Sequence, residues 1–161
     1  MAAKAKKKPA KTPGEATIAV NRRARHDFEI GERFEAGLVL LGSEVKSLRA
    51  GKANLRDSYA RMQSRELWLH NAHISPYDPA SQFGHDPLRE RKLLLNRQEI
   101  YKLDSKVKER GLTLIPLRLY FKKGRAKVEI GVAKGKKRHD KRDSLREREA
   151  AREVDRAMKR R

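Results

Sequence analysis

The closing segment GVAKGKKRHDKRDSLREREAAREVDRAMKRR, Gly131 to Arg161, constrains this chain more than any other stretch. It opens like the end of a strand, passes through a glycine-punctuated basic run and continues with helix-forming residues. On a helical wheel from about Asp143, Ala150, Ala151, Val154, Ala157 and Met158 gather on one side. Arg148, Arg152, Arg156 and Arg160 recur at i,i+4 on the other, and Leu145 lies opposite Val154, off the apolar stripe. A stripe made mostly of alanine buries too little to fold or dock by itself. Isolated helices of this length are marginal in water. The core must therefore be built upstream, and the tail is expected to be largely disordered when free and helical on a surface of opposite charge.

The charge points to the same kind of partner. Among 161 residues, 41 Lys+Arg stand against 21 Asp+Glu, a formal charge of +20. Such a chain repels itself and seeks a polyanion, nucleic acid first. An anionic membrane surface is second, but it would need an amphipathic anchor that the sequence does not offer. No apolar run approaches the ~20 residues that span a bilayer. The chain has no cysteine, which excludes a disulfide scaffold and a thiolate zinc site and suits a reducing cytoplasm. The Lys- and Pro-rich start lacks the apolar core of a secretory signal. Three regions are expected: a disordered arm over 1–17, a folded body over 18–133 and the basic tail over 134–161.

Within the body, Phe34, Ala36, Leu38 and Leu40 alternate as one face of a strand, preceded by Phe28 and Ile30 with a break or bulge at Gly31. The run SEVKSLRAG reads as a short helix capped by Ser43, with Gly51 beyond its end. DSYARMQSRELWLHNAHI reads as a hairpin turning near Ser64 and Arg65. The clearest helix starts at Asn96 as N-cap, with Glu99 completing a capping box, Ile100, Leu103 and Val107 as its buried stripe, and Gly111 at its end. A second hairpin alternates Leu117, Leu119 and Phe121, turns at Lys123 and Gly124, and returns through Val128, Ile130 and Val132. Pro116 fits an edge or a bulge better than a central strand. This is a mainly β fold with about three helices. The best match is a small six-stranded antiparallel barrel of OB type, an architecture that frequently binds oligonucleotides.

No catalytic constellation emerges. The acids are interleaved with arginine and lysine, where ion pairing is the ordinary role. His70 and His73, read as i,i+3 in one strand, point to opposite faces and make a poor metal pair with His85. There is no phosphate loop and no nucleophile elbow. No metal or cofactor is expected. Trp68 belongs to the core or half-core rather than to a stacking platform. His26, within NRRARHDF, either stacks on a base among phosphate-holding arginines or is a solvated turn residue. Glu35 either faces solvent or orients basic side chains and accepts from a base amino group. Asn96 is a helix cap that can also contact RNA.

NRRARHDFEI, FEAGLVLLGSEVKSLRAGKANLRDSYARM, HNAHISPY, DPLRERKLLLN and IGVAKGKKRHDKR occur in an order that closely resembles the SsrA-binding protein (small protein B) family of bacteria, from about Ala16 to the C-terminus. The resemblance implies an OB-fold body that binds the tRNA-like domain of transfer-messenger RNA and delivers it to stalled ribosomes, without a catalytic step. By position, His26, Glu35, Leu94 and Asn96 resemble the family's RNA-contacting residues. Lys136, Lys137, His139, Asp140, Lys141 and Arg142 resemble its decoding-centre segment. The helix that follows would enter the empty message channel through Leu145, Arg148, Arg152, Arg156, Ala157 and Met158. Ala150 stands where some relatives carry a bulky aromatic. The implied partners are transfer-messenger RNA and the stalled ribosome, engaged by a monomer away from any membrane. A general RNA chaperone or ribosome-associated structural protein is the alternative.

A peptide covering 134–161 is expected to show weak helicity by circular dichroism in plain buffer and to gain helix on addition of RNA. A fully formed helix in buffer alone would contradict this.

Overall fold

A computed structural model describes residues 14–77, 84–109 and 111–158. Most of the expected N-terminal arm, 1–13, lies outside these residues, as does 78–83. The elements in chain order are β1 (Glu15–Val20), α1 (Arg22–Asp27), β2 (Phe28–Leu38), α2 (Gly42–Arg49), β3 (Ala53–Asn54), β4 (Tyr59–Gln63), β5 (Glu66–His70), β6 (His73–Ile74), β7 (Arg91–Leu94), α3 (Arg97–Val107), β8 (Leu112–Lys122), β9 (Arg125–Gly135) and α4 (Arg138–Met158).

Six strands close on themselves in the order β8-β4-β5-β7-β2-β9, with β9 pairing back to β8 and every pair antiparallel. This ring of six is the architecture the sequence predicts. β1 flanks it on β8, so Glu15–Thr17, assigned to the arm by composition, are strand residues. β3 and β6 form a separate short pair, which puts His70 and His73 on different strands.

Both predicted hairpin turns are two residues long. Ser64 and Arg65 (φ 49° and 63°) and Lys123 and Gly124 (φ 49° and 74°) occupy left-handed backbone, the geometry that matches the twist of the flanking strands.

The interior holds Phe34, Ala36, Leu67, Leu69, Leu93, Leu114, Leu119, Val128, Ile130 and Val132, joined by Leu103 of α3 and Leu48 of α2. A second cluster lies outside the ring, where Ala24 of α1 covers Ile115, Leu117 and Ala133, with Phe28 and Ile30 against it. Two bulges create it. β2 shifts register between Ile30 and Arg33, and β8 between Pro116 and Arg118, so each strand changes which alternate residues face inward. Leu117 and Leu119, expected on one face, therefore join different clusters.

The short helix α1 is absent from the sequence reading, and Asn21 explains it. Buried Asn21 caps α1 by accepting from the Ala24 N–H (3.1 Å). Its amide donates to the carbonyls of Leu55 and Pro116 (both 3.1 Å), and its backbone N–H donates to the Leu117 carbonyl (2.8 Å). The carbonyls around the β8 bulge thus hold the helix on the ring.

Two helix ends differ from expectation. α2 starts one residue before Ser43, and the Glu44 carboxylate caps it by accepting from the Leu41 N–H (2.8 Å). Ser43 instead pairs with His85 (3.0 Å). α3 is capped by Asn96, whose N–H donates to Glu99 (3.0 Å) as the capping pattern predicts. It ends at Val107, before Gly111, where the chain takes φ 81°.

Glu44 and Arg91 are both fully buried and pair at 2.8 Å. Arg91 also donates to the carbonyls of Ala72 (2.7 Å), Arg89 (2.8 Å) and Pro87 (3.2 Å), while Arg89 grips the other side of Glu44 at 2.8 Å. Burial alone would raise the Glu44 carboxyl, but the Arg89 and Leu41 hydrogen bonds and the Arg91 charge outweigh it and hold the group below its ordinary 4.5. This network ties α2 to β7 and to the loop before it. Arg91→Ala leaves a buried carboxylate short of its partner and is expected to cost about 3–5 kcal/mol in urea unfolding at pH 7. A carboxyl whose folded pKa is depressed stabilises above its unfolded pKa and loses that contribution as pH falls through the folded one. Unfolding of Glu44→Gln followed below pH 4.5 is therefore expected to show a flatter acid dependence than the parent chain.

Candidate nucleic-acid interface

Beyond the bulges, the outer face of β2, β9, β8 and β1 is a lattice of charge. Glu35 on β2 accepts from the Tyr120 hydroxyl (2.5 Å), which reaches across β9, and from Lys122 Nζ (2.9 Å). Arg118 lies over the Tyr120 ring at 4.2 Å and bonds Glu129 (2.7 Å) and Glu15 (3.1 Å). Arg33 reaches Glu129 from the other side at 3.2 Å. The Tyr120 hydrogen bond, then the Lys122 hydrogen bond, hold the Glu35 carboxyl below its ordinary value, with Lys127 adding positive charge. Burial and the adjacent Glu35 push the Tyr120 phenol well up, so it remains a donor. Glu35 is thus an ionised, oriented acceptor in a basic field.

Leu94 joins the same face. It pairs with Gly37, two residues from Glu35 on β2, and same-face neighbours along a strand stand about 7 Å apart. Leu94 packs over Gly37, where a Cβ would make ordinary contact with it at 3.4 Å, and it stays 51% exposed. Asn96 follows at the start of α3, exposed, with its backbone engaged by Glu99. Structural cap and exposed polar side chain coexist there.

His26 stands elsewhere. It lies on α1 before β2 begins, with Glu35 nine residues on. At about 3.3 Å per strand residue the separation is on the order of 20 Å. Its Nδ1 pairs with Asp27 at 2.8 Å. Its ring lines a shallow hollow with Arg142, Leu145, Arg146 and Glu149 of α4. The tail approaches α1 through its last carbonyls: Lys136 N–H donates to Asp27 (3.0 Å), and Lys136 Nζ (3.3 Å) and Arg148 (3.2 Å) donate to Arg25. Cations at a helix C-terminus meet the negative end of its dipole.

The structure therefore gathers Glu35, Leu94 and Asn96 and sets His26 apart, against the tail. Along α4, Arg142, Arg148, Arg152, Arg156, Ala157 and Met158 are exposed, as is Leu145. Lys136 is half-buried and Lys137 exposed. The side chains of His139, Asp140 and Lys141, and Arg160 entirely, lie outside the described residues. Among the described residues no group of His, Asp and Glu could hold a metal ion, and no helix is long and apolar enough to cross a membrane. His85 is buried against Ser43 and the Ile74 carbonyl (2.9 Å), and His70 stacks on Tyr59 at 5.1 Å. Trp68 is half-buried on the outer face, in register with Arg61 and Lys92.

Sequence reasoning missed Tyr120 and Lys122 as the partners of Glu35, and Arg118, which lies over the Tyr120 ring. The signal was the alternation itself, since these three residues alternate with the core positions Leu119 and Phe121. Tyr120→Phe removes the donor that most favours the charged carboxylate. The Glu35 titration, followed by the carboxyl carbon resonance, is expected to move to higher pH than in the parent chain.

Comparison with known proteins shows the family. The family model described as SmpB protein matches residues 18–160. An SsrA-binding protein of Desulforudis audaxviator is 60% identical over 145 residues, covering 90% of this chain and 95% of its own. Another, from Thermobifida fusca, is 58% identical over 156 residues, covering 97% and 98%. A solved chain from work on tmRNA-SmpB at the center of the bacterial ribosome has a TM-score of 0.64 and 50% identity, covering 79% of this chain and 93% of that one. With its six-strand ring and a match over nearly its whole length, the chain belongs to the SmpB family of SsrA-binding proteins.

Proposed function

We propose that this chain is a non-enzymatic RNA adaptor of trans-translation, acting in the cytoplasm. It binds the tRNA-like domain of transfer-messenger RNA through its body and carries that RNA to stalled ribosomes. The observation that carries this reading is the grouping of Glu35, Leu94 and Asn96 on one basic outer face, in a chain whose relatives are named for binding SsrA. Glu35 is suited to accept from a base amino group, because its carboxylate is already oriented by Tyr120 and Lys122. Leu94 offers an apolar contact to a base or ribose, and Asn96 both donates and accepts. The surrounding lysines and arginines supply the sequence-independent phosphate attraction.

The tail supplies the second surface. Lys136, Lys137, His139, Asp140, Lys141 and Arg142 engage the decoding centre. The helix carrying Leu145, Arg148, Arg152, Arg156, Ala157 and Met158 follows into the empty message channel, with its exposed arginines toward phosphate. His26 contributes from α1, stacking on a base while Arg22, Arg23 and Arg25 surround it. The exposure of most of the α4 side chains supports a helix that makes its main contacts with another molecule.

The two surfaces are separable by mutation. Glu35→Ala and Asn96→Ala are expected to weaken binding to the tRNA-like domain about tenfold each at fixed salt and to leave ribosome engagement by the tail intact. Truncation after Lys134 is expected to preserve RNA binding and abolish tagging of stalled peptides. Loss of RNA binding on truncation would contradict this division of labour. Equal affinity for a size-matched control RNA, with the same steep salt slope, would favour a general RNA-binding protein instead.

A further inference from the structure

Next to Leu94 and Asn96, the β4–β5 turn and α3 enclose an open groove of about 720 Å³, within the range of small-ligand sites. We propose that this groove receives an unpaired nucleotide of the RNA bound at Leu94 and Asn96, its base stacking on Tyr101 and its phosphates meeting Arg65 and Arg97. The inference rests on the RNA-binding reading of that face and extends it to residues outside it.

Four observations converge on this occupant. The groove is continuous with the proposed interface, because Leu94 lines it. Its apolar surface is held open to water: Tyr101 is 56% exposed and Leu94 51%, a planar ring and an aliphatic edge that a base can cover. Its charge is unbalanced. Of the four lining cations, Lys92 pairs with Glu66 (2.5 Å) and Lys108 with Asp104 (2.8 Å). Among the described residues no acid pairs with Arg65 or Arg97. Finally, Arg65 occupies left-handed backbone (φ 63°) in the two-residue turn. Glycine or asparagine is favoured there, so an arginine at this place points to a use for its side chain.

On α3, Arg97 and Tyr101 are i,i+4 and lie on one face. One helix face thus carries a guanidinium and a ring side by side, the pairing a nucleotide needs for its phosphate and its base. A protein segment suits the groove less well. Protein interfaces are depleted in lysine and in acids, whereas this groove is lined by Lys92, Lys108, Glu66 and Asp104 beside its arginines.

The test uses the full chain and the tRNA-like domain of transfer-messenger RNA, with affinity measured by fluorescence anisotropy across a salt series. Tyr101→Ala is expected to weaken binding about five- to a hundredfold, whereas Tyr101→Phe keeps the ring and stays within about twofold. Arg65→Ala with Arg97→Ala is expected to weaken binding and to reduce the log–log salt slope by about 1.4, or about 0.7 per lost single-strand phosphate contact. Both sites are on the surface, and thermal melts check that the fold is kept. If Tyr101→Ala and the arginine pair bind like the parent chain while Glu35→Ala is weakened, the groove proposal is overturned and the RNA-binding face stands. If Glu35→Ala and Asn96→Ala also bind normally, both readings fall. Unchanged RNA affinity with lost ribosome co-sedimentation in Tyr101→Ala would assign the groove to a ribosomal partner and likewise overturn the proposal.

Discussion

The regular strand β9 is the reference against which the rest of the body is set. It pairs with β2 on one side and β8 on the other and closes the ring. Along it, Val128, Ile130 and Val132 face inward, and Lys127, Glu129, Gly131 and Ala133 face outward. Its two neighbours do not stay in phase. The bulges between Ile30 and Arg33 and between Pro116 and Arg118 both fall beside Gly131. A Cβ on Gly131 would lie 2.9 Å from Ile30 Cγ2 and 3.1 Å from Leu117 Cδ1. A larger residue there would force these side chains to shift, because those of both bulged strands close over the spine at that point.

The phase change divides the outer face into two surfaces with different chemistry. On one side of Gly131 the outward residues are Phe28, Ile30, Ile115, Leu117 and Ala133, and α1 buries them. On the other side they are Arg33, Glu35, Arg118, Lys122, Lys127 and Glu129, left polar and charged. Without the bulges, each strand would carry one alternation throughout. A strand apolar enough to dock α1 would then have no charged outer half. The same two extra residues thus seat the helix that bears His26 and free the face that bears Glu35.

What the sequence made legible follows from this division. Local patterns were read directly. Both two-residue turns, the capping box at Asn96 and the alternation through Phe34 and Ala36 each lie within a few residues of chain. The six-strand ring was reachable because such segments add up. The bulge at Pro116 was readable from proline alone, but its consequence was not: that Leu117 leaves the core depends on what packs outside it. α1 stayed hidden for a related reason. RRARHD has almost no apolar stripe, and the helix is held by Asn21 bonding to carbonyls that lie 34 and 95 residues away in sequence. Ser43 was the better cap by residue type. Glu44 took the role because burial beside Arg89 and Arg91 fixes its carboxylate where the Leu41 N–H can reach it. The site residues themselves came from a resemblance, and it took three-dimensional register to separate His26 from the other three.

That separation has a physical consequence for an adaptor. Glu35 lies on β2 and His26 on α1, just before that strand begins, and β2 is paired on both sides for part of its length and belongs to the closed ring. Closed antiparallel pairing resists bending more than a loop would, since displacement of one strand breaks hydrogen bonds to two others. The distance between the two proposed RNA contacts is therefore set by the number of strand residues between them. The tail takes its origin from the same end as His26, because the Arg25 and Asp27 carbonyls of α1 accept from Lys136 and Arg148. Among the described residues these hydrogen bonds end on backbone carbonyls, and those from Lys136 Nζ and Arg148 are solvent-exposed, whereas α1 is held to the ring by the buried Asn21 network and by Ala24. On the proposed reading, a body held by buried bonds and a charged tail held at an exposed face suit an adaptor with two RNA partners: the first meets a preformed surface, and the second competes for the tail without disturbing it.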